Sequence, residues 1–412
     1  MRYDYLIIGG GVAGVTAAEA IRKSDPKGTI GILTNESHPL YSRVLIPHYL
    51  KGKILRESVF LRSLGDMEKQ NINLHTNKEV ESIDVEARSV KTKTGEFQYG
   101  KLLIATGGRV RAWDIPGNDL SGILHMQTIE DADAILSVLK DAKTTAVIGG
   151  GFIALEFLET MVIHKKDVTL LCKEQAFFGG KLDALGTELM DKNFRDHGIK
   201  TIYGADAKEF RGNGTLKKIL LQSGEEVQTD AVGVGIGIER NLGFLPQSIE
   251  KNSGGIKTNE FLETNVPSIW AAGDIANYYD GFYKKQQTLG NWTNALMQGM
   301  QVGQNMAGEK KSFQVLFNYA ISNLGLNIAF IGDTSIDAET EAISRGNIEK
   351  KQYERFFIKH GALQGAIMIN MGQDRGALTT LIQKQSDISQ KKNLLSDMTA
   401  DIRAIASDSP PS

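Results

Sequence analysis

The sequence predicts an α/β chain with two Rossmann-like dinucleotide-binding domains and a C-terminal α+β domain, and three observations predict it. Two glycine-rich loops lie 140 residues apart, Gly9-Gly10-Gly11-Val12-Ala13-Gly14 and Gly149-Gly150-Gly151-Phe152-Ile153-Ala154. Each follows a short apolar run, Tyr5 to Ile8 or Ala146 to Ile148, and opens a helix-like stretch. The features after the first loop then recur, in the same order, after the second.

Residues 3–8 read as a buried strand, 12–23 as a helix and Ile30 to Leu33 as a second strand. This is the opening βαβ unit of a doubly wound sheet. In such a loop the first Gly makes the turn and the second lets the backbone approach a pyrophosphate. The third small residue, Gly14 or Ala154, lets helix and strand pack closely. The helix N-terminus offers free N–H groups and a positive dipole end to the phosphates. Residues 71–105 read as short strands with turns at Lys93-Thr94-Gly95 and Tyr99-Gly100, ending in the run Leu102 to Gly108. In the second half Asp167 to Leu171 matches the second strand, Gln222 to Glu226 the turn, and Ala231 to Gly237 the closing run. A different stretch begins near Gly243. Ser268 to Asp274 reads as a strand ending in Gly-Asp, and Trp292 to Ala307 as a helix. After a Lys-rich break at Glu309-Lys310-Lys311, residues 312–390 read as an α+β module with strands at Gln352 to Lys359 and Leu363 to Asn370.

A length of 412 residues allows two to three domains, and 23% charged with 41% hydrophobic residues is ordinary for a globular chain. A net charge of −2 gives no general attraction to nucleic acid or membranes. The single cysteine, Cys172, excludes an internal disulfide, a CxxC redox pair and a thiolate cluster. The first apolar run is too short for a signal peptide or a membrane span, so a cytoplasmic protein is expected. Two phosphate loops imply two dinucleotides, and so an enzyme that passes electrons from one to the other.

Four motifs in order, Gly9 to Gly14, Ala105-Thr106-Gly107-Gly108, Gly149 to Ala154 and Ala272-Gly273-Asp274, resemble the two-dinucleotide flavoprotein reductases of glutathione-reductase-like fold. Within that group the chain looks most like the NAD(P)H-dependent rubredoxin and ferredoxin reductases and the flavin part of NADH nitrite reductases. The resemblance implies FAD at Gly9, Gly11, Val12, Ala13 and Gly14. It implies NADH or NADPH at Gly149, Gly151, Phe152, Ile153 and Ala154, with Gly237 in the matching closing run. It places Ala105, Thr106 and Gly107 near the FAD, and Asp274, beside Gly273, at the ribityl and pyrophosphate region. A carboxylate accepts hydrogen bonds from ribityl hydroxyls, and Gly273 permits close backbone approach. Asp274 equally suits a helix N-cap, from which a helix would aim its N–H groups at a phosphate. Trp292 resembles the family's segment beside the flavin ring, with the following helix pointing its positive end at the flavin; the alternative is a core tryptophan. Gln298-Gly299 resembles a further family pair without assigned chemistry. The implied division is 1–115 and 243–310 for the FAD domain, 116–242 for the NAD(P) domain, 311–395 for an interface domain and 396–412 for a tail. Ser407 to Ser412 is polar, Pro-rich and expected to be disordered.

The sequence departs from that pattern at several places. The ribose-binding acid of the first domain is expected at Asn35, where related chains carry it; Glu36 follows, and either residue is a candidate. Tyr41 to His48 resembles the segment beneath the flavin, with Arg43 as the pyrophosphate partner, since guanidinium grips phosphate bidentately. Relatives pair a Lys near the flavin with a Glu on the second-loop helix. Here the Glu is Glu156 and the Lys is replaced by His48, whose charge depends on pH; a surface His and an ordinary helix Glu are the alternatives. Val44 occupies the place of the redox cysteine of CoA-disulfide reductases and peroxidase-type NADH oxidases, so no thiol relay is available. In the second domain Cys172, Lys173 and Glu174 surround the ribose position. An acid there favours NADH and a base NADPH, and the reading leans to NADH.

The resemblance implies an FAD-dependent oxidoreductase that takes a hydride from NAD(P)H and passes electrons to a small iron–sulfur or rubredoxin-like protein. The C-terminal module would form a docking face or a homodimer interface, and Lys284-Lys285 would meet an acidic partner or remain a solvated pair. Two alternatives stand beside this: a subunit feeding a separate nitrite or other terminal reductase, and a slow FAD-binding NAD(P)H sensor resembling apoptosis-inducing factor.

Overall fold

The computed structural model describes residues 1–407, so the expected disordered tail lies, from residue 408 on, outside the described residues. Contacts divide the chain into two compact units. The first is Met1–Arg111 with Ile238–Val315, and the second is Ala112–Gly237 with Leu316 onward.

The first unit is built on a seven-stranded sheet. Its parallel part runs Ile72–His75, Ile30–Leu33, Arg2–Ile8, Gly95–Ile104, Ile269–Ala271. Val80–Asp84 and Ser89–Thr92 extend it as antiparallel strands. Side chains alternate across the first strand: Tyr5 and Ile7 join the core under the helix Val12–Ser24, while Leu6 and Ile8 join Leu102 and Ile104 on the other face. The helix Trp292–Met306 lies against Val12–Ser24 so closely that a Cβ on Gly299 would come 2.4 Å from Ala13 O, and one on Gly303 2.5 Å from Ala17 O. Small residues on both helices allow this approach and fix where the second helix begins. Gly299 therefore has a packing role.

Two local expectations fail in this unit. Tyr99-Gly100 is not a turn but the middle of the strand Gly95–Ile104. Gly100 is needed there for close approach, because a Cβ would sit 2.9 Å from Asp4 O. No helix starts at Asp274 either. Gly273–Ile275 is one 3₁₀ turn followed by the strand Ala276–Asp280. That strand's backbone groups go to a parallel partner, Gly255–Thr258, which removes the N-cap reading.

The second unit contains a five-stranded parallel sheet in the order Lys200–Tyr203, Asp167–Cys172, Thr144–Ile148, Ala231–Val234, Ile123–Leu124. A three-stranded antiparallel sheet, Ala207–Gly212, Leu216–Leu221 and Glu226–Gln228, closes one side of its core. The C-terminal part is a five-stranded antiparallel sheet ordered Asn318–Asn323, Leu326–Gly332, Ala362–Ile369, Gln352–Lys359, Glu341–Asn347, carrying the helix Arg375–Lys384. Inside it the buried Arg345 guanidinium binds Glu354 at 2.6 Å and Asp374 at 3.1 Å and donates to the carbonyls of Asp397 and Ala400. The stretch expected as tail from 396 is thus tied down, and it ends in the helix Ile402–Ser407 with Ile402 and Ile405 buried. Two isoleucines on one helical face outweigh the polar residues around them.

Candidate functional site

In the first unit, Gly9 has φ +118°, and a Cβ there would lie 2.2 Å from Ala105 O. A Cβ on Gly14 would lie 2.0 Å from Gly9 O. At Gly11 a Cβ would meet nothing within 4 Å. Strand, loop and helix are pressed together at the outer glycines and open at the middle one, as a pyrophosphate cradle requires. Val12 and Ala13 have buried side chains, so they can offer only backbone N–H groups, which at a helix start have no intrahelical partner. The loop opens on a cleft whose lining includes Gly10, Gly11, Thr34, Glu36, Arg43 and Trp292. Glu36 faces this cleft and accepts hydrogen bonds from Tyr41 Oη and Arg43 Nη2, both at 2.5 Å. Asn35 is exposed. Ala105 N–H donates to Ile8 O at 2.8 Å and leads into exposed Thr106 and into Gly107, which has φ +65°.

The Gly-Asp turn belongs to the same unit. Gly273 has φ +80°, and its N–H donates to Gln298 Oε1 at 2.7 Å. Arg240 Nε donates to Asp274 O at 2.5 Å. Burial pushes the Asp274 carboxyl above the usual carboxylate range, and the Arg240 and Arg43 guanidiniums pull it back. Trp292 is half-buried at the start of its helix, packed on the core as well as lining the cleft. Asn291 caps that helix by accepting from Asn294 N–H at 2.8 Å. His48 is exposed on the short helix Ile46–Leu50.

In the second unit, Gly149 has φ +134°, and a Cβ would lie 2.4 Å from Gly235 O. Gly151 is open, and Ala154 is fully buried against the loop. Ile153 is exposed, whereas Phe152 stacks in an aromatic cluster with ring centroids 4.2 Å from Tyr319 and 5.0 Å from Phe178. Glu156 Oε2 accepts from the Asn323 side-chain amide at 3.2 Å, and Glu159 Oε1 from Leu324 N–H at 3.0 Å. The hairpin turn of the C-terminal sheet therefore seats on the helix that opens this loop. At the end of the second strand the side chains diverge. Lys173 Nζ pairs with Asp206 at 2.8 Å. Glu174 turns toward the loop, where its Oε2 lies 3.5 Å from the place of a Cβ on Gly150 and 3.5 Å from Cys172 Sγ. Burial, reinforced by Glu174, pushes the Cys172 thiol up to about 12. Gly237, with φ +95°, ends the unit's first segment in the open.

Sequence reasoning missed Thr34, Tyr41, Arg240, Asn323 and Tyr319 as site residues. Thr34 directly precedes the ribose candidates Asn35 and Glu36, and Tyr41 lay inside the quoted segment; the other three belong to no motif and reach their places through tertiary contacts.

Both loops fit a dinucleotide on their own geometry: an open middle glycine, a helix start aimed at it, and a carboxylate at the second strand's end. The comparisons agree. Residues 3–299 match the family model described as pyridine nucleotide-disulphide oxidoreductase. The chain is 28% identical to a rubredoxin-NAD(+) reductase of Ectopseudomonas oleovorans, over 92% of this chain and 98% of that protein. It is 26% identical to a nitrite reductase [NAD(P)H] of Bacillus subtilis (strain 168), over 94% of this chain but 48% of that protein, so it spans about half the relative's length. A solved covalent putidaredoxin reductase–putidaredoxin complex shares its fold, with TM-score 0.91 at 23% identity over 100% of this chain and 99% of that one. The chain belongs to the pyridine nucleotide-disulphide oxidoreductase family and is an FAD oxidoreductase that uses NAD(P)H.

Proposed function

We propose that the chain takes a hydride from NADH and passes the electrons singly to a small iron–sulfur or rubredoxin-like protein. The carrying observation is the state of the only cysteine: Cys172 is buried, with its thiol protonated far above neutral pH. Val44, which the resemblance sets at about the place of a redox thiol, is exposed and carries no sulfur. No protein sulfur is therefore in place to relay electrons from a bound flavin to the acceptor. The similar rubredoxin-NAD(+) reductase and the putidaredoxin complex support an acceptor of this class. These reductase relatives favour catalysis over the sensing reading.

When bound, the flavin supplies the chemistry, accepting a hydride and releasing electrons one at a time. The chain's work is binding, orientation and electrostatics. Glu36 would accept the FAD ribose hydroxyls, in preference to exposed Asn35, and Arg43 would grip the pyrophosphate. Asp274 would hold the ribityl chain, with the Trp292 helix start directed at the flavin. In the second unit the helix start at Phe152, Ile153 and Ala154 would hold the NADH pyrophosphate. Glu174 would accept the 2′-hydroxyl, and this choice of NADH follows from Lys173 being engaged by Asp206. His48 and Glu156 would guard access of the nicotinamide. No described helix is long and apolar enough to cross a membrane, and a cytoplasmic location suits chemistry with NADH. The C-terminal module would serve as docking face or homodimer interface.

A second reading has one specific support. The chain corresponds to about half of the Bacillus nitrite reductase, so it suits a subunit that feeds a separate terminal enzyme. The test is to reduce the protein anaerobically with NADH and mix it with a rubredoxin, a [2Fe–2S] ferredoxin and a purified nitrite reductase. Rapid bleaching of either small carrier supports the proposal. Transfer only to the terminal enzyme supports the second reading, and transfer to none refutes both.

A further inference from the structure

We infer that Arg240 is a positioning residue for the FAD, clamping the Gly273–Ile275 turn through its backbone and facing the Asp274 carboxylate with a positive charge. The inference rests on Asp274 being an FAD ligand.

Arg240 leaves a fixed base. It follows the strand Ile238–Glu239, which pairs antiparallel with Arg109–Val110, and an exposed Arg109–Glu239 ion pair at 2.7 Å ties the two strands together. Its half-buried guanidinium donates from Nε to Asp274 O at 2.5 Å. Room for its stem comes from Gly255, which has φ +130°; a Cβ there would lie 3.3 Å from Arg240 Cδ and 2.1 Å from Ile275 O. The turn is also held by Gln298, which accepts from Gly273 N–H at 2.7 Å. Two backbone contacts thus fix the turn that carries Asp274.

Charge gives the second half of the argument. Burial disfavours an ionised Asp274, and Arg240 is the stronger of the two cations that oppose this, ahead of Arg43. Arg43 is shared with Glu36, to which it donates at 2.5 Å, and in the proposed site it also serves the pyrophosphate. A buried carboxylate stripped of its partner loses far more than the pair contributes. Without Arg240, Asp274 would face burial and the phosphate charges with only a shared guanidinium.

The experiment uses the full chain loaded with FAD, with R240Q, R240K and E239Q beside the wild type. FAD dissociation is read by recovery of free-flavin fluorescence, the cofactor's surroundings by visible circular dichroism, and folding by thermal melts. R240Q is expected to weaken FAD binding about tenfold or more and to change the flavin dichroism. R240K is expected to recover most of both, and E239Q to match the wild type. FAD affinity in R240Q within about twofold of wild type, with an unchanged spectrum, overturns the inference. So does an equal loss in all three variants, which marks a structural clip. Should R240Q alone not fold, the pair D274N and D274N/R240Q carries the test: the further loss of FAD affinity in the double variant, from the backbone clamp alone, is expected to stay within about threefold, and a larger one overturns the inference. A wild type that binds no FAD refutes the site reading itself and is distinguishable from all of these.

Discussion

The two glycine cradles share one motif and differ in how firmly they are built. In the first, the carboxylate at the end of the second strand is held by a tyrosine and an arginine, each at 2.5 Å. In the second, the corresponding Glu174 is exposed and lies 3.5 Å from a weak thiol donor. The third small residue is Gly14 in the first, where a methyl would strike Gly9 O at 2.0 Å, and a well-accommodated Ala154 in the second. The Gly-Asp turn then adds a further clamp to the first cradle alone. A preorganised site binds tightly, and a looser one exchanges its ligand. The difference in construction matches a resident FAD in the first unit and a visiting coenzyme in the second.

The largest effect is expected from exchanging the third residues. G14A should weaken FAD binding about 100-fold or more, because backbone must move to admit the methyl. A154G should leave the KM for NADH within about threefold, the cost being that of a glycine in a helix. Flavin retention on gel filtration and steady-state kinetics check the pair; equal effects would erase the contrast between cradles.

Next comes the stability of the second unit. Burial pushes the Glu354 carboxyl up to about 7, above its ordinary 4.5. The folded chain therefore keeps a proton that the unfolded chain releases. Burial outweighs the opposing pull of the Arg345 guanidinium, so the resulting stabilisation is complete below about pH 4.5 and is lost as pH rises through about 7. Denaturant titrations at pH 5 and 8 should show the wild type losing stability with rising pH more steeply than E354Q. Parallel slopes would contradict this.

A smaller effect is expected at Glu174. E174A should raise the KM for NADH about tenfold, with kcat little changed and NADPH hardly affected, since a lost ribose contact is uniform binding energy. A fall in kcat without a change in KM would place Glu174 elsewhere in the reaction. The smallest effect is expected at Cys172. C172A should keep activity within about twofold, since a buried Cys behaves as a small hydrophobe. The wild-type thiol should resist iodoacetamide at pH 8 because it ionises only near 12.

Much of the frame was legible because it is written locally. The runs Tyr5 to Ile8 and Ala146 to Ile148, with their glycines, specify strand, loop and helix within a dozen residues, and the structure places them as read. Arg43 and Glu36 were also readable, seven residues apart and facing one cleft. What was not readable depends on distant partners. Gly100 looks like a turn until Asp4 runs beside it, and Asp274 looks like a cap until Gly255–Thr258 claims the following strand. Arg240 sits in no motif and acquires its role from a carbonyl 34 residues away. Asn323 reaches Glu156 across 167 residues. Such contacts leave no periodic or spacing signal in one sequence.

The account stands or falls on rapid-scanning spectroscopy of the purified holoprotein mixed anaerobically with NADH. It predicts that FAD stays bound through gel filtration and that the visible band of its oxidised form bleaches within the enzyme's turnover time. A flavin that washes out of the protein, or one that stays oxidised under NADH for hours, would contradict it.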